Sequence, residues 1–177
     1  MDIGDHNEIT KYSGCMSLIV ATDKFKGIAK NGTIPWHCPD DLKYFRSKTI
    51  GNGNNVVIMG RKTYMSLPKK YRPLSQRANI VMSATWKQEE HPDIIIINSF
   101  DQLWSFLKTQ KYDEIFVIGG ELVYRKMLSQ CDKIKIYLTV LSEDYQCDQF
   151  FLYNENTYKT ISYEILSYGE RWILEHK

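Results

Sequence analysis

Short apolar runs of strand length alternate with segments of helical period along most of this chain. That alternation restricts it to a sheet assembled from parallel crossovers. The runs are residues 16–21, 56–59, 80–83, 94–97 and 115–118. Between them the pattern predicts a helix starting near Pro39, a short one from Gly60, and one capped by Ser99. Gln102 is the reciprocal partner of that cap, and Leu103, Phe106 and Leu107 form the inward stripe. A further helix follows Gly119-Gly120, with Val123, Met127 and Leu128 inward. Then the style changes. Residues 135–140 form a strand with no helix behind it, and residues 163–166 and 172–174, joined through 167–170, read as a closing antiparallel hairpin. The expected architecture is α/β: a single domain with a mostly parallel central sheet of about eight strands, an antiparallel C-terminal edge and about four flanking helices.

A chain of 177 residues is long enough to bury a core without staples. Its net charge of +2 argues against a nucleic-acid arm or a polybasic membrane surface as its main business. No apolar run is long enough to span a bilayer. Cys15, Cys38, Cys131 and Cys147 are scattered without Cys-x-x-Cys or zinc-like spacing, so reduced structural thiols in a cytoplasmic setting are expected. Residues 1–15 are polar and carry Asp2, Asp5 and Glu8, unlike a secretory or transit segment. They read as a flexible extension ahead of a domain covering 16–177.

Chemistry concentrates around Ile34-Pro35-Trp36-His37-Cys38-Pro39-Asp40-Asp41. Pro39 suits a first helical turn, and helical spacing sets Asp41, Phe45 and Thr49 on one face. Asp41 is then either a desolvated acid with a chemical task or a surface residue favouring the helix dipole. Trp36 is a packing aromatic placed to serve a pocket rim. Three strand ends, at Met59-Gly60-Arg61-Lys62-Thr63, Met82-Ser83-Ala84 and Ile118-Gly119-Gly120-Glu121, read as tight turns into helices, where free N–H groups meet anions. Arg61, Lys62 and Thr63 suit a ligand with more than one phosphate. Neither a P-loop nor a Gly-x-Gly-x-x-Gly fingerprint is present in the sequence. Arg77 is shaped for a bidentate carboxylate contact or for a solvated surface.

In order along the chain, these segments resemble dihydrofolate reductase. The resemblance rests on Gly27-Ile28-Ala29-Lys30-Asn31-Gly32-Thr33-Ile34-Pro35-Trp36, Asp41-Leu42-Lys43-Tyr44-Phe45, Val57-Ile58-Met59-Gly60-Arg61-Lys62-Thr63 and Arg72-Pro73-Leu74-Ser75-Gln76-Arg77. It continues through Val117-Ile118-Gly119-Gly120-Glu121-Leu122-Val123-Tyr124, Ile136-Tyr137-Leu138-Thr139 and Cys147-Asp148-Gln149-Phe150-Phe151. The resemblance implies NADPH-dependent reduction of 7,8-dihydrofolate to 5,6,7,8-tetrahydrofolate, supporting one-carbon metabolism and thymidylate synthesis. It also implies sensitivity to methotrexate, a small-molecule substrate as the partner, and a monomer.

Carried over by position, Asp41 is the pocket's sole acid, which bonds the amino-pyrimidine edge of the pteridine and assists protonation at N5. Thr139 supports that carboxylate, and Trp36 holds a nearby water. Ile19, Ala21, Leu42, Phe45, Leu67, Leu74 and Ile118 are apolar walls, and Arg77 clamps the glutamate α-carboxylate. Ala21, Ile28, Lys30, Asn31, Gly32, Thr33, Gly60, Arg61, Lys62, Thr63, Ser83, Ala84, Ile118, Gly119, Gly120, Glu121, Leu122, Val123 and Tyr124 are implied cofactor contacts. The Gly-Gly bond is implied to be cis. Ala29 stands where many members have glycine, and Ala84 and Asn98 where a basic residue often holds the 2′-phosphate. Two other readings stay open. One is the related pyrimidine reductase of riboflavin synthesis, against which Pro35-Trp36, Asp41 and Arg77 argue. The other is a binding protein of the same fold without turnover.

Overall fold

A computed structural model describes residues 11–177. An eight-stranded sheet in the order β5-β4-β3-β6-β1-β7-β10-β9 forms the centre. Its strands are β1 (Tyr12–Thr22), β3 (Val56–Gly60), β4 (Ala78–Met82), β5 (Ile95–Ile97), β6 (Ile115–Gly119), β7 (Cys131–Leu141), β9 (Tyr158–Leu166) and β10 (Gly169–His176). From β5 to β7 every pairing is parallel; β10 joins β7, and β9 joins β10, antiparallel. Among the described residues four α-helices flank the sheet: α1 (Pro39–Ile50), α2 (Arg61–Ser66), α3 (Phe100–Thr109) and α4 (Glu121–Gln130). The α/β architecture expected above is the one observed.

The parallel strands are apolar on both faces, as crossovers on both sides require. Leu18, Val20, Ile58, Val117 and Ile136 pack on one side with Leu103, Trp104, Val123 and Met127 of α3 and α4. Ile19, Val57, Met59, Phe116 and Tyr137 face the other way, toward Tyr44 and Phe45 of α1. Alternate residues of each strand thus feed two cores, and the sheet is dry throughout its middle.

Several local expectations shift. Strand β1 starts at Tyr12, inside the segment assigned to the extension, because Tyr12 is buried and stacks on Trp104 at 5.2 Å between ring centroids. The rest of that extension, residues 1–10, lies outside the described residues. Trp104 joins the buried stripe of α3 while Phe106 is only partly covered; in α4 Tyr124 is buried and Leu128 half-buried. Ser99 caps α3 by accepting from Gln102 N at 3.2 Å, but the Gln102 side chain reaches Asn98 N (2.9 Å) one residue earlier than a capping box would. The loop beginning at Gly27 contains a strand, β2 (Gly27–Ala29), paired antiparallel with β8 (Gln149–Phe150). No α-helix starts at Met82-Ser83-Ala84; the Ser83 hydroxyl instead accepts from Trp86 N at 3.1 Å and closes a turn, and only a short 3-10 turn (Gln88–Glu90) comes after it. The C-terminal hairpin is longer than expected and turns through Ser167 and Tyr168. At Gly169 a Cβ would run into the Val140 carbonyl, so the hairpin needs glycine to close onto β7.

Candidate active site

At the carboxyl ends of the parallel strands lies a cleft of about 910 Å³. The strand ends contribute to it: Ala21 from β1, Gly60 from β3, Met82 from β4 and Ser83 just after it, Asn98 after β5, Ile118 and Gly119 from β6, and Thr139 from β7. The crossovers cover the faces of the sheet and leave this end for a ligand.

Asp41 enters the cleft from the first turn of α1, whose start is set by Pro39 and favoured by Asp40 and Asp41 against the helix dipole. Thr139 is buried on β7 and donates its hydroxyl to Asp41 Oδ1 at 2.7 Å. Desolvation pushes the carboxyl above its ordinary value, while the Thr139 hydroxyl and the charge of Arg171 pull the other way and are outweighed. Around this acid stand Ile19, Ala21, Leu42, Phe45, Leu67 and Ile118. Trp36 also lines the cleft, tilted against Tyr145 at 5.2 Å.

At its far end, beyond β3, the cleft is cationic. Arg61 and Lys62 are exposed at the start of α2, with Thr63 beside them. Gly119 and Gly120 are joined by a cis peptide bond. They lead into α4, whose first residues Glu121, Leu122, Val123 and Tyr124 all line the cleft. The Tyr124 hydroxyl is buried and donates to Ile19 O at 2.8 Å, tying α4 to the central strand; burial pushes its ionisation well above the ordinary value. Ile28, Gly32, Thr33, Ser83 and Ala84 complete the lining on this side. Glu121 is a second carboxylate in the cleft, so Asp41 is the only acid at the apolar end and not in the whole cavity.

Of the residues anticipated from sequence, Lys30, Asn31, Leu74 and Arg77 fall outside the cleft lining. Lys30 closes a tight turn with Thr33 through backbone bonds, and Asn31 N donates to Asp148 Oδ2 at 2.8 Å. Leu74 is buried in the core beneath Phe45 and Leu67. Arg77 sits behind Phe45, its guanidinium 6.0 Å from that ring. It donates to Thr49 Oγ1 at 2.6 Å and to Ser75 O at 2.9 Å. Burial, with the nearby charge of Arg46, brings its pKa down to about 10, so it is still a cation at neutral pH. It enters no ion pair among the described residues. The shared helical face of Asp41, Phe45 and Thr49 is real, and it links the acid to this cation.

Sequence reasoning set Asn98 at the 2′-phosphate position without counting it as a contact, and it missed Tyr44, Cys38, Ser99, Arg125 and Gln149; all six line the cleft. Asn98 and Ser99 follow β5, so the strand-end rule applied to that strand would have found them. Tyr44 lies three residues after Asp41 and was available from helical spacing. Behind the cleft, Asp23 is 1% exposed; it accepts from Phe25 N (2.9 Å), Gly27 N (2.8 Å) and Tyr145 N (3.2 Å) and so pins the loop leading to Trp36. All four cysteines are free. No helix among the described residues is long and apolar enough to cross a membrane.

The family profile described as dihydrofolate reductase matches residues 15–172. The rat dihydrofolate reductase is 33% identical over 145 residues, covering 77% of this chain and 78% of its own. The bifunctional dihydrofolate reductase-thymidylate synthase of Plasmodium berghei is 33% identical over 198 residues, 85% of this chain and 34% of its own. Its Arabidopsis thaliana counterpart, bifunctional dihydrofolate reductase-thymidylate synthase 1, is 36% identical over 75% of this chain and 28% of its own. The chain therefore spans about a third of the length of the bifunctional relatives it matches and most of the length of the rat enzyme.

Proposed function

The chain belongs to the dihydrofolate reductase family, and from that premise we propose that it reduces 7,8-dihydrofolate to 5,6,7,8-tetrahydrofolate with NADPH. The observation that carries the proposal is the half-buried Asp41, bonded to Thr139 at 2.7 Å, at the apolar end of a cleft whose other end is cationic.

The residues present fit a long anionic nucleotide. Arg61, Lys62, Thr63 and Ser83, with the free N–H groups at the start of α4, would hold its phosphates, and Ile19, Ala21 and Ile118 would flank its ring. When bound, NADPH supplies the hydride that goes to C6 of the pterin. Everything else falls to the chain. Asp41 hydrogen-bonds the amino-pyrimidine edge and so fixes the pterin in one orientation. Desolvation raises its proton affinity, which favours the protonated form that can pass a proton toward N5. Thr139 holds the carboxylate in one rotamer. Trp36 and the apolar wall exclude bulk water, which strengthens each polar contact inside. Arg77, a half-buried cation without an ion-pair partner among the described residues, clamps the carboxylate of the substrate tail through a fork geometry suited to it.

We also propose a monomer as the working unit, since Asp41, Thr139, Arg61 and Lys62 meet in one cleft that needs no residue from a second copy. A reducing, cytoplasmic setting is supported by the four free thiols; burial, first of all, pushes Cys131 to about 12 and Cys147 to about 11, which keeps both inert.

The test is NADPH oxidation by the purified chain with dihydrofolate, with and without methotrexate. Turnover that methotrexate abolishes is the expected result. Methotrexate binding without turnover would leave a binding protein and remove the assigned chemistry.

A further inference from the structure

Arg171 has no part in the roles assigned so far, and its setting is unusual for a strand cation. In the sheet it is paired with Thr139 of β7 on one side and with Glu164 of β9 on the other. Directly opposed residues of antiparallel strands project to the same face, so Thr139, Arg171 and Glu164 form one row across three strands. Asp41 stands at the inner end of that row, held by Thr139. Glu164, at the outer end, accepts from Arg171 Nη1 at 3.3 Å. Nη2 donates to the Tyr168 hydroxyl at 2.8 Å. The guanidinium carbon lies only 3.7 Å from the centroid of the Tyr44 ring, and Tyr44 lines the cleft.

Two observations say that this is not a surface pairing. The Arg171 side chain is 13% exposed, whereas Glu164 is 59% exposed. Arg171 Nε is buried and has no hydrogen-bond partner among the described residues. A pairing with Glu164 alone would be made at lower cost with the guanidinium in water, since removing a charge from water is expensive and an exposed pair returns little. The cation is instead turned inward and clamped face-on by Tyr44.

We propose that Arg171 is a positioning residue for the reaction: clamped by Tyr44, Tyr168 and Glu164, it stands behind the Asp41–Thr139 pair, fixes the Tyr44 wall of the cleft and sets the electric field at the carboxylate. The inference rests on the reading of Asp41 as the acid of the reaction. Asp41 meets Thr139 from β7, Arg171 from β10, Tyr168 from the β9–β10 turn and Tyr44 from its own helix, with Cys38 just ahead of that helix near Tyr168. Of these only Arg171 is a cation, and its charge pulls against the burial that raises Asp41. Removing it strengthens the carboxyl's hold on its proton. A hydride-transfer step that depends on that proton, and falls as pH rises, then persists to higher pH.

The experiment compares the whole chain with Arg171→Leu, Arg171→Lys and Glu164→Gln. One readout is the pH dependence of hydride transfer in single turnovers with NADPH and dihydrofolate. The other is titration of Asp41 in the ligand-free protein by carboxyl ¹³C NMR. Arg171→Leu is expected to move the midpoint upward by about half to one pH unit in both readouts, within the range nearby charges produce. Arg171→Lys should restore it to within about 0.3 unit, because the charge remains. Glu164→Gln unmasks Arg171 and should move the midpoint the opposite way, by about 0.2–0.5 unit. An unmoved midpoint in Arg171→Leu overturns the proposal. If Arg171→Leu does not fold, an unmoved midpoint in Glu164→Gln does so. If the NMR midpoints move as expected but no form of the chain turns over dihydrofolate, the proposed reaction fails and the action of Arg171 on Asp41 stands.

Discussion

Asp23 and Asp41 lie at the two ends of one short stretch of chain, both withdrawn from water, and their surroundings push them in opposite directions. At Asp23 desolvation is the largest single influence and pushes the carboxyl up. The N–H groups of Gly27, Phe25 and Tyr145, with the Cys147 thiol, together outweigh it and leave the acid below its ordinary value. At Asp41 desolvation also leads, but a single hydroxyl and the charge of Arg171 oppose it, and the acid stays raised. Burial alone therefore does not make a carboxylate chemical. What separates the two is how many donors the backbone commits to the charged form. Asp23 is fully engaged and serves the fold. Asp41 keeps lone pairs open toward the cleft and serves a ligand.

The sharpest way to break this division is to neutralise each acid without changing its shape. Asp41→Asn is expected to lower hydride transfer on the order of a hundredfold or more, as for loss of a positioned acid, while leaving NADPH affinity nearly unchanged. Its effect on stability should have the other sign. A carboxyl whose folded pKa is raised weakens the fold above that pKa, and stability returns as pH falls through it toward the unfolded value. Asp41→Asn should therefore raise the melting temperature at neutral pH and flatten its rise on mild acidification, measured by thermal unfolding across pH. A neutral-pH melting temperature lowered by Asp41→Asn would contradict the assignment of the two acids.

Asp23→Ala should do the converse. It strands buried N–H donors and is expected to cost about 3 kcal/mol of stability by denaturant unfolding, with a smaller loss in turnover than Asp41→Asn. A carboxyl with a lowered folded pKa contributes stability that is fully present above its unfolded value of about 3.9 and is lost as pH falls through the folded pKa. The wild-type chain should show that acid loss and Asp23→Ala should lack it. Turnover abolished in Asp23→Ala with unfolding unchanged would erase the distinction.

Arg77 extends the comparison to a cation. Like Asp41 it is half-buried with unspent bonding capacity, and burial lowers its pKa to about 10. If it clamps a carboxylate, Arg77→Leu should weaken dihydrofolate by roughly tenfold to a hundredfold, the worth of a charge-assisted pair. A pterin lacking the glutamate tail should bind about as before. Equal losses for both ligands, measured as KM or by titration, would assign Arg77 to Thr49 and the fold.

Legibility in the sequence follows the same line. The apolar strands, the Pro39 start of α1, the face shared by Asp41, Phe45 and Thr49, and the strand-end glycines are local patterns with a short period, and they were readable. Pairing between β2 and β8 was not, because three residues and two residues carry no periodicity. Tyr12 looked like part of a polar extension because its burial depends on Trp104, far along the chain. Nothing local marks Arg171 as part of the site, because its partners come together only when β10 pairs with β7. Arg77 was found by type, yet its place behind Phe45, outside the cleft lining, is a fact of packing.

The smallest test concerns Cys147, whose thiol neighbours Asp23 and adds the least of the four influences that lower it. A Cβ on Gly27 would strike Cys147 and come within 2.9 Å of Asp23 Oδ2, so Gly27, Cys147 and Asp23 are closely packed. Burial and the Asp23 carboxylate push the thiol to about 11, which keeps its hydrogen in place as a donor. Cys147→Ala should then cost about 0.5–1 kcal/mol, the value of one weak hydrogen bond, and move the acid unfolding limb slightly upward as Asp23 loses part of its support. In the Asp23→Ala background the same substitution should cost less, since the acceptor is gone. An undiminished cost there would mean that the thiol acts by filling space, and that the three backbone donors suffice to hold Asp23 below its ordinary value.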